Sequence, residues 1–486
     1  MTIKDLKPTA VWTIFDEITN VPRPSKKEEK IRKYILDFAK ANGIDAKTDE
    51  VGNVVLSKPA TPGKEDAPTV IMQGHMDMVC ESNKKDFDFD NSPITTIIDG
   101  EWVHADNTTL GADNGIGVAA SLAVMADKSL VHGPLEALFT VDEETGMTGA
   151  NNLGENMMNG SILLNLDSED DGQFFIGCAG GIDTTITFDY KREMAPADYH
   201  WFDIELANLS GGHSGGDIHE GRANSNKLLA RFLFGLSQKH DIVLSEISGG
   251  NLRNAIPRAA HAVVGVHTSK KEEVVVAFNE FVADVKNEYS HTDPAMDITI
   301  ATADKPEYAI DSDTTLRLIR SLYACPHGVI SMSHDLEGLV ETSTNLASVK
   351  MQPDNTILVT TSQRSSVESR KYDIANQIEA LFLMAGAKVT HGDGYPGWAP
   401  NMNSAIMKIA ADTYKELYGE EPLITAIHAG LECGLFLTKY PHLDMVSFGP
   451  TLRGVHSPSE KMHIPAVERF WDQLVTILRK VSDLKK

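Results

Sequence analysis

Val70-Ile71-Met72-Gln73-Gly74-His75-Met76-Asp77 begins as an apolar strand and ends on side chains that can carry chemistry, and its reading decides the fold. Three apolar residues in a row suit a strand buried on both faces. The pattern recurs along the chain. Leu135 to Val141 runs into Asp142-Glu143-Glu144, and Ile162 to Leu166 runs into Asp167-Ser168-Glu169. Met445 to Phe448 precedes Gly454-Val455-His456. Between the first two strands, Leu110-Gly111-Ala112-Asp113 leads into a helical pattern from Gly115 to Ala126. Upstream, residues 8 to 42 carry apolar side chains at helical spacing, interrupted by Pro22 and Pro24, with Ser25 as an N-cap and Glu28 three residues on. Short buried strands alternating with helices predict an α/β fold, a mixed sheet flanked by helices.

The texture changes near residue 183. Thr184 to Phe188 and Phe202 to Leu206 alternate with period two. Helical patterns at Asn224 to Leu236, Glu272 to Tyr289, Leu316 to Tyr323 and Ala375 to Ala385 then mix with strands at Ala262 to His267, Ile298 to Ala301, Asn345 to Met351 and Ile357 to Thr361. The reading is one α/β domain built from residues 1–182 and 391–486, interrupted by an α+β insert over 183–390. Asn254-Ala255-Ile256-Pro257-Arg258 and Asn345-Leu346-Ala347-Ser348-Val349 open similar stretches, so the insert reads either as two related lobes or as two ordinary ones.

A length of 486 residues suits two to four domains, each with its own core. The formal net charge of −25 argues against nucleic acid and against an anionic membrane as partners. Cys80, Cys178, Cys325 and Cys433 are widely spaced and form no disulfide or C-x-x-C pattern, as expected of reduced thiols in a cytoplasmic protein. No signal peptide and no run of about 18 apolar residues is visible.

The polar strand ends point to metal chemistry. Residues at the carboxyl edge of an α/β sheet converge on one crevice. Divalent zinc takes imidazole nitrogen and carboxylate oxygen, and two neighbouring ions can share one carboxylate and hold a hydroxide between them. Such a centre needs a bridging acid, plus a His and an acid for each ion. His75, His456, Asp113, Glu144 and Asp167 supply that set, and the adjacent Glu143 is left over as a base. Singly, these elements are commonplace: Asp-Asn-Gly is a turn and a Glu pair a solvated face. Their conjunction at successive strand ends carries the argument.

With those residues stand the motifs QGHMD (73–77), TLGADNGIG (109–117), VDEETG (141–146), LNLDSED (164–170), GGHSGGDIH (211–219), RNAIPR (253–258), HAGLECG (428–434) and GPTLRGVHSP (449–458). Together they resemble the two-zinc dipeptidases of the aminoacylase/carboxypeptidase G2-like clan. The resemblance implies a catalytic domain of zinc-exopeptidase type carrying a lid. It implies two divalent cations per chain, zinc first, with manganese and cobalt as alternatives. By the same resemblance His75 and Asp167 hold one ion, Glu144 and His456 the other, and Asp113 bridges them. Asp77 would orient His75 through its second ring nitrogen, and Glu143 would be the general base. His213 would stabilise the oxyanion with Asn254, and Arg364 would clamp the substrate's terminal carboxylate. Glu432 is a candidate partner for a substrate amine; His428 shapes the pocket, and His219 is a further candidate. One departure from the wider clan is Asn114 after the bridging acid, where many relatives carry Asp or a lysine two residues on.

The implied activity is hydrolysis of dipeptides with free termini, Xaa-His and beta-Ala-His types among them, by a hydroxide between the ions that Glu143 activates. Alternatives on the same scaffold are a deacylase or tripeptidase, or a non-catalytic metal-binding module. In single-lobed relatives the oxyanion His crosses a dimer interface. The longer insert here suggests a second lobe that replaces the partner's lid, and a homodimer through other surfaces stays open.

Overall fold

The computed structural model describes residues 2–485. The chain divides into two compact units, one of Met1–Gly177, Pro400–Ala426 and Leu431–Lys486, the other of Cys178–Ala399 and Ile427–Gly430.

In the first unit, the strands Val70–His75, Leu135–Thr140 and Ile162–Asn165 are buried along their whole length. Val70–His75 pairs in parallel with both of the others, and Asp444–Ser447 extends the parallel set beyond Ile162–Asn165. Antiparallel strands complete a mixed eight-stranded sheet. Parallel pairing requires a crossover between strands, which explains the helix Ala112–Ala126 after Val70–His75. That helix is buried almost all round and packs on Thr9–Thr19. A β-carbon on its Gly117 would lie 2.7 Å from the Leu166 carbonyl oxygen, so the missing side chain lets the helix approach the end of the neighbouring strand.

The helix Ile464–Val481 shows why the end of the chain folds as it does. Ala466, Val467, Phe470, Leu474, Ile477, Leu478 and Val481 recur at three- and four-residue spacing and are buried. Pro465 sits in its first turn, and Arg479 and Lys480 sit in its last, where they complement the helix dipole. Each large apolar side chain buried on that face contributes about 1.5–3 kcal/mol. Phe470 meets Phe448 at 5.7 Å between ring centres, anchoring the segment that leads to His456.

Ser25 does not cap a helix. The helix begins at Glu29 with Glu28 as its N-cap residue, and the Ser25 hydroxyl donates instead to Asp77 at 2.7 Å.

The second unit is built on a nine-stranded antiparallel sheet. Asp297–Thr302, Tyr199–Ala207, Ala260–His267 and Ile242–Gly249 form one half, and Val340–Met351, Thr356–Ser365, Gly180–Asp189 and Lys388–His391 the other, with Gly328–Met332 paired on Val340–Met351 as the ninth strand. Among the described residues, the ladder between the halves runs through Ser248 and Gly249, which pair with Lys350 and Val349. The helices Ser225–Ser237, Lys271–Glu288, Ser312–Ala324 and Glu368–Met384 all contribute to one shared core. The unit starts at Cys178 rather than 183 because Gly180–Asp189 is one continuous strand whose first residues lack the alternating pattern. It ends at Ala399 rather than 390 because Tyr395 and Trp398 bridge back to Gly181 and Cys178. Asn254 and Ile256 precede the strand at Ala260 rather than opening it. Among the described residues, no helix is long and apolar enough to cross a membrane.

Candidate metal centre and active site

Five of the side chains singled out above gather in the first unit as two triads that share one carboxylate. Nε2 of His75, at the end of its strand, lies 3.1 Å from Asp113 Oδ1 and 3.4 Å from Asp167 Oδ1. Nε2 of His456 lies 3.1 Å from Asp113 Oδ2 and 3.0 Å from Glu144 Oε2. Ligand atoms of His75, Asp113 and Glu144 all fall within 4.8 Å of one another.

The electrostatics call for positive charge. Burial opposes protonation of His75, yet Asp167, Asp113 and Asp77 hold its pKa well above the usual imidazole value. Hydrogen bonds donated to the carboxylates of Asp113 and Glu144 push His456 up to about 11. Burial works against ionisation of Asp113, but the hydrogen bonds from His456 and His75 keep its carboxyl well below the ordinary range. Asp167 is driven up by burial, which the charge on His75 only partly offsets. Among the described residues, the buried oxygens of Asp167 (Oδ1) and Glu144 (Oε1) find no hydrogen-bond partner. Imidazole nitrogen beside unsatisfied buried carboxylate oxygen is the donor set of zinc, manganese or cobalt sites, and these residues fit a divalent cation.

Adding such a cation to chelator-treated protein therefore stabilises the fold. The expected gain is about 2.7 kcal/mol at free cation about 100 times Kd, read as a rise in melting temperature. The cation displaces protons from His75 and His456, so its affinity falls as pH is lowered.

Asp77 touches more than His75. Its Oδ1 lies 3.3 Å from His75 Nδ1 without the geometry of a hydrogen bond. The same carboxylate accepts from the backbone N–H groups of Glu143 at 3.1 Å and Glu144 at 3.2 Å. Glu28 adds a bond from the Asp142 N–H at 3.1 Å. The loop carrying Glu143 is thus held from behind by two buried carboxylates. Burial pushes Glu143 up to about 8; the charge on His75 opposes this, and Glu432, Glu144 and Asp113 reinforce it.

Glu432 begins the helix Glu432–Lys439 and is buried. Its Oε2 accepts from Gln73 at 2.6 Å and Thr140 at 2.9 Å, while Oε1 has no partner. Burial raises its pKa to about 8, with His75 opposing and Asp167 adding.

His213, Asn254, Arg364 and His428 lie in the second unit. His213 bridges Ala255, and the Ser214 N–H donates to the Asn254 carbonyl at 2.8 Å, which brings the two loops together. His213 Nδ1 accepts from the N–H groups of Gly215 and Gly216 at 3.3 and 3.0 Å. A neutral ring held this way carries its proton on Nε2. Burial and the neighbouring Arg364 lower the His213 pKa, favouring that neutral form. Arg364 lies within the strand Thr356–Ser365, donates to the Tyr395 hydroxyl at 2.8 Å, and keeps its buried Nε without a partner. His428 meets the Ser343 hydroxyl at 2.7 Å; burial, Arg364, His213 and His219 lower its pKa to about 3. His428 falls within residues 391–486 but belongs to the second unit, because Ile427–Gly430 returns to it with no mark in the sequence.

A helix-flanked mixed sheet with a His and carboxylate cluster at its strand ends and an inserted α+β unit defines a class of peptidases. The chain belongs to it: residues 71–480 match the model of Peptidase family M20/M25/M40, and the protein is a hydrolase acting on peptide substrates. Among individual relatives, it is 43% identical to the cytosol non-specific dipeptidase of Escherichia coli (strain K12) over 99% of both chains. The crystal structure of aminoacylhistidine dipeptidase from Vibrio alginolyticus superposes with a TM-score of 0.94 at 44% identity, covering 100% of this chain and 99% of that one. A tripeptidase from Staphylococcus aureus, 16% identical with a TM-score of 0.58 over 99% of this chain and 100% of that one, shares the fold.

Proposed function

We propose that the chain is a two-metal dipeptidase that hydrolyses dipeptides with free termini, Xaa-His and beta-Ala-His among them, in the cytoplasm. The observation that carries this reading is the pair of triads sharing Asp113, with Glu143 held beside them. Full-length similarity to relatives named as dipeptidases supports the substrate class. Zinc is the proposed cation, with manganese and cobalt as alternatives that the same donors accept.

When bound, the cations supply Lewis acidity, polarising a peptide carbonyl and acidifying water. Glu143 takes the proton of the attacking water and returns it to the leaving amine, a task its position beside the two triads, on a loop held by Asp77, suits. His213 offers its Nε2–H, and Asn254 its side-chain amide, to the oxygen that gains charge. Arg364 supplies a fork of donors for the terminal carboxylate. Glu432 accepts from the substrate's amino group through its unpartnered oxygen.

Metal analysis combined with a substrate panel tests the proposal. Dipeptides turn over in the cation-loaded protein. Cleavage of tripeptides or N-acetyl amino acids in preference to dipeptides contradicts it. Arg364→Ala raises KM for a dipeptide by about 10–100-fold, the scale of a lost charge-assisted hydrogen bond of roughly 1.5–3 kcal/mol. It also removes the preference for a dipeptide over the same dipeptide capped as an amide.

A further inference from the structure

Two buried charged side chains in the first unit have no part in the chemistry above, yet both bond to the backbone that carries its ligands. Arg23 is 2% exposed, and Glu460 is also 2% exposed. Arg23 Nη1 donates to the carbonyls of Met76 at 3.1 Å and Asp77 at 2.8 Å, next to His75. Its Nη2 donates to the carbonyl of Gly111, on the segment that leads to Asp113. The Glu460 carboxylate receives four backbone N–H groups of the same segment: Leu110 at 2.7 Å, Gly111 at 3.0 Å, Ala112 at 2.8 Å and Asp113 itself at 3.3 Å.

Glu460 also stands at the end of the turn that carries His456. Its own N–H donates to Ser457, and the Ser457 hydroxyl donates to Gly454. One carboxylate thus ties the His456 turn to the Asp113 segment, and one guanidinium ties the Asp113 segment to the His75 strand end. A buried charge is costly unless it is hydrogen-bonded, and both groups bond to main chain.

Two glycines of the TLGADNGIG stretch, Gly111 and Gly115, fit the same purpose. A β-carbon on Gly111 would lie 2.5 Å from Arg23 Nη2, and one on Gly115 would lie 2.6 Å from the same atom. Gly115 has an ordinary φ, so room for the guanidinium, rather than backbone conformation, is the reason for glycine there.

We infer that Arg23 and Glu460 are positioning residues that set the spacing of His75, Asp113 and His456 before any cation binds. The inference rests on reading those three as ligands. It predicts a loss of cation affinity that exceeds any loss of fold. Glu460→Gln keeps the shape but aims an amide NH2 at N–H donors. Arg23→Lys keeps the charge but loses the fork. Each variant, as full-length protein, is compared with the parent by competition against a chromophoric chelator, by the visible spectrum of the cobalt-loaded form, and by circular dichroism.

The expected result is cation binding weakened about 10–100-fold, the range for partners that orient metal ligands. The cobalt spectrum changes, and the dipeptide KM at saturating metal stays near the parent's. Glu460→Asp, which keeps the carboxylate, recovers part of the affinity. Folded variants with parental affinity and spectrum would overturn the inference. Failure of both Glu460→Gln and Arg23→Lys to fold would also overturn it, assigning the pair to stability alone. A parent protein that binds no cation contradicts the ligand assignment itself, so the two failures are distinguishable.

Discussion

Glu143→Ala leaves the cation content of the protein unchanged and lowers kcat by about 10²–10⁴-fold, the contribution usual for a positioned general base. The expectation follows from what Glu143 does and does not touch. The imidazoles of His75 and His456 are engaged by Asp113, Asp167 and Glu144, and Glu143 is in neither triad. Its backbone is fixed by Asp77, and its carboxyl is raised by burial to about 8. Removing it should therefore spare binding and remove proton transfer. Metal analysis beside steady-state kinetics checks the split. A variant with near-parental kcat, or one that loses its cations, contradicts the role.

Asp113→Ala has the opposite signature. Its two oxygens face two different imidazoles, each at 3.1 Å, so its loss affects both halves of the centre at once. Cation affinity should fall by more than the roughly 10–100-fold typical of outer partners, and activity should vanish at ordinary metal concentrations. His456→Ala, by contrast, disturbs only the triad completed by Glu144, and one cation per chain should remain. Isothermal titration of the two variants separates these outcomes. Equal stoichiometry in both would argue against a shared carboxylate.

Much of this was legible in the sequence because buried parallel strands show as apolar runs, and their ends are where α/β folds place chemistry. His75, Asp167 and Glu144 each follow such a run, and Asp113 lies in the first turn of a helix assembled from small residues. Other features were hidden by the kind of interaction involved. Ser25 fits an N-cap pattern, but a buried Asp77 offers it a stronger acceptor. Arg23 and Glu460 act through main-chain atoms, which leave no pattern of residue types. The return of Ile427–Gly430 to the second unit depends on long-range contact, to which periodicity is blind. The first residues of the strand Gly180–Asp189 are buried glycines, so no alternation marks where the insert begins.

Anomalous diffraction at the zinc edge, on crystals of the zinc-loaded protein, tests the central claim most directly. Two peaks per chain are predicted, one flanked by His75, Asp113 and Asp167, the other by His456, Asp113 and Glu144, with Glu143 bound to neither. A single peak, a peak ligated by Glu143, or zinc found only elsewhere on the chain would contradict the account.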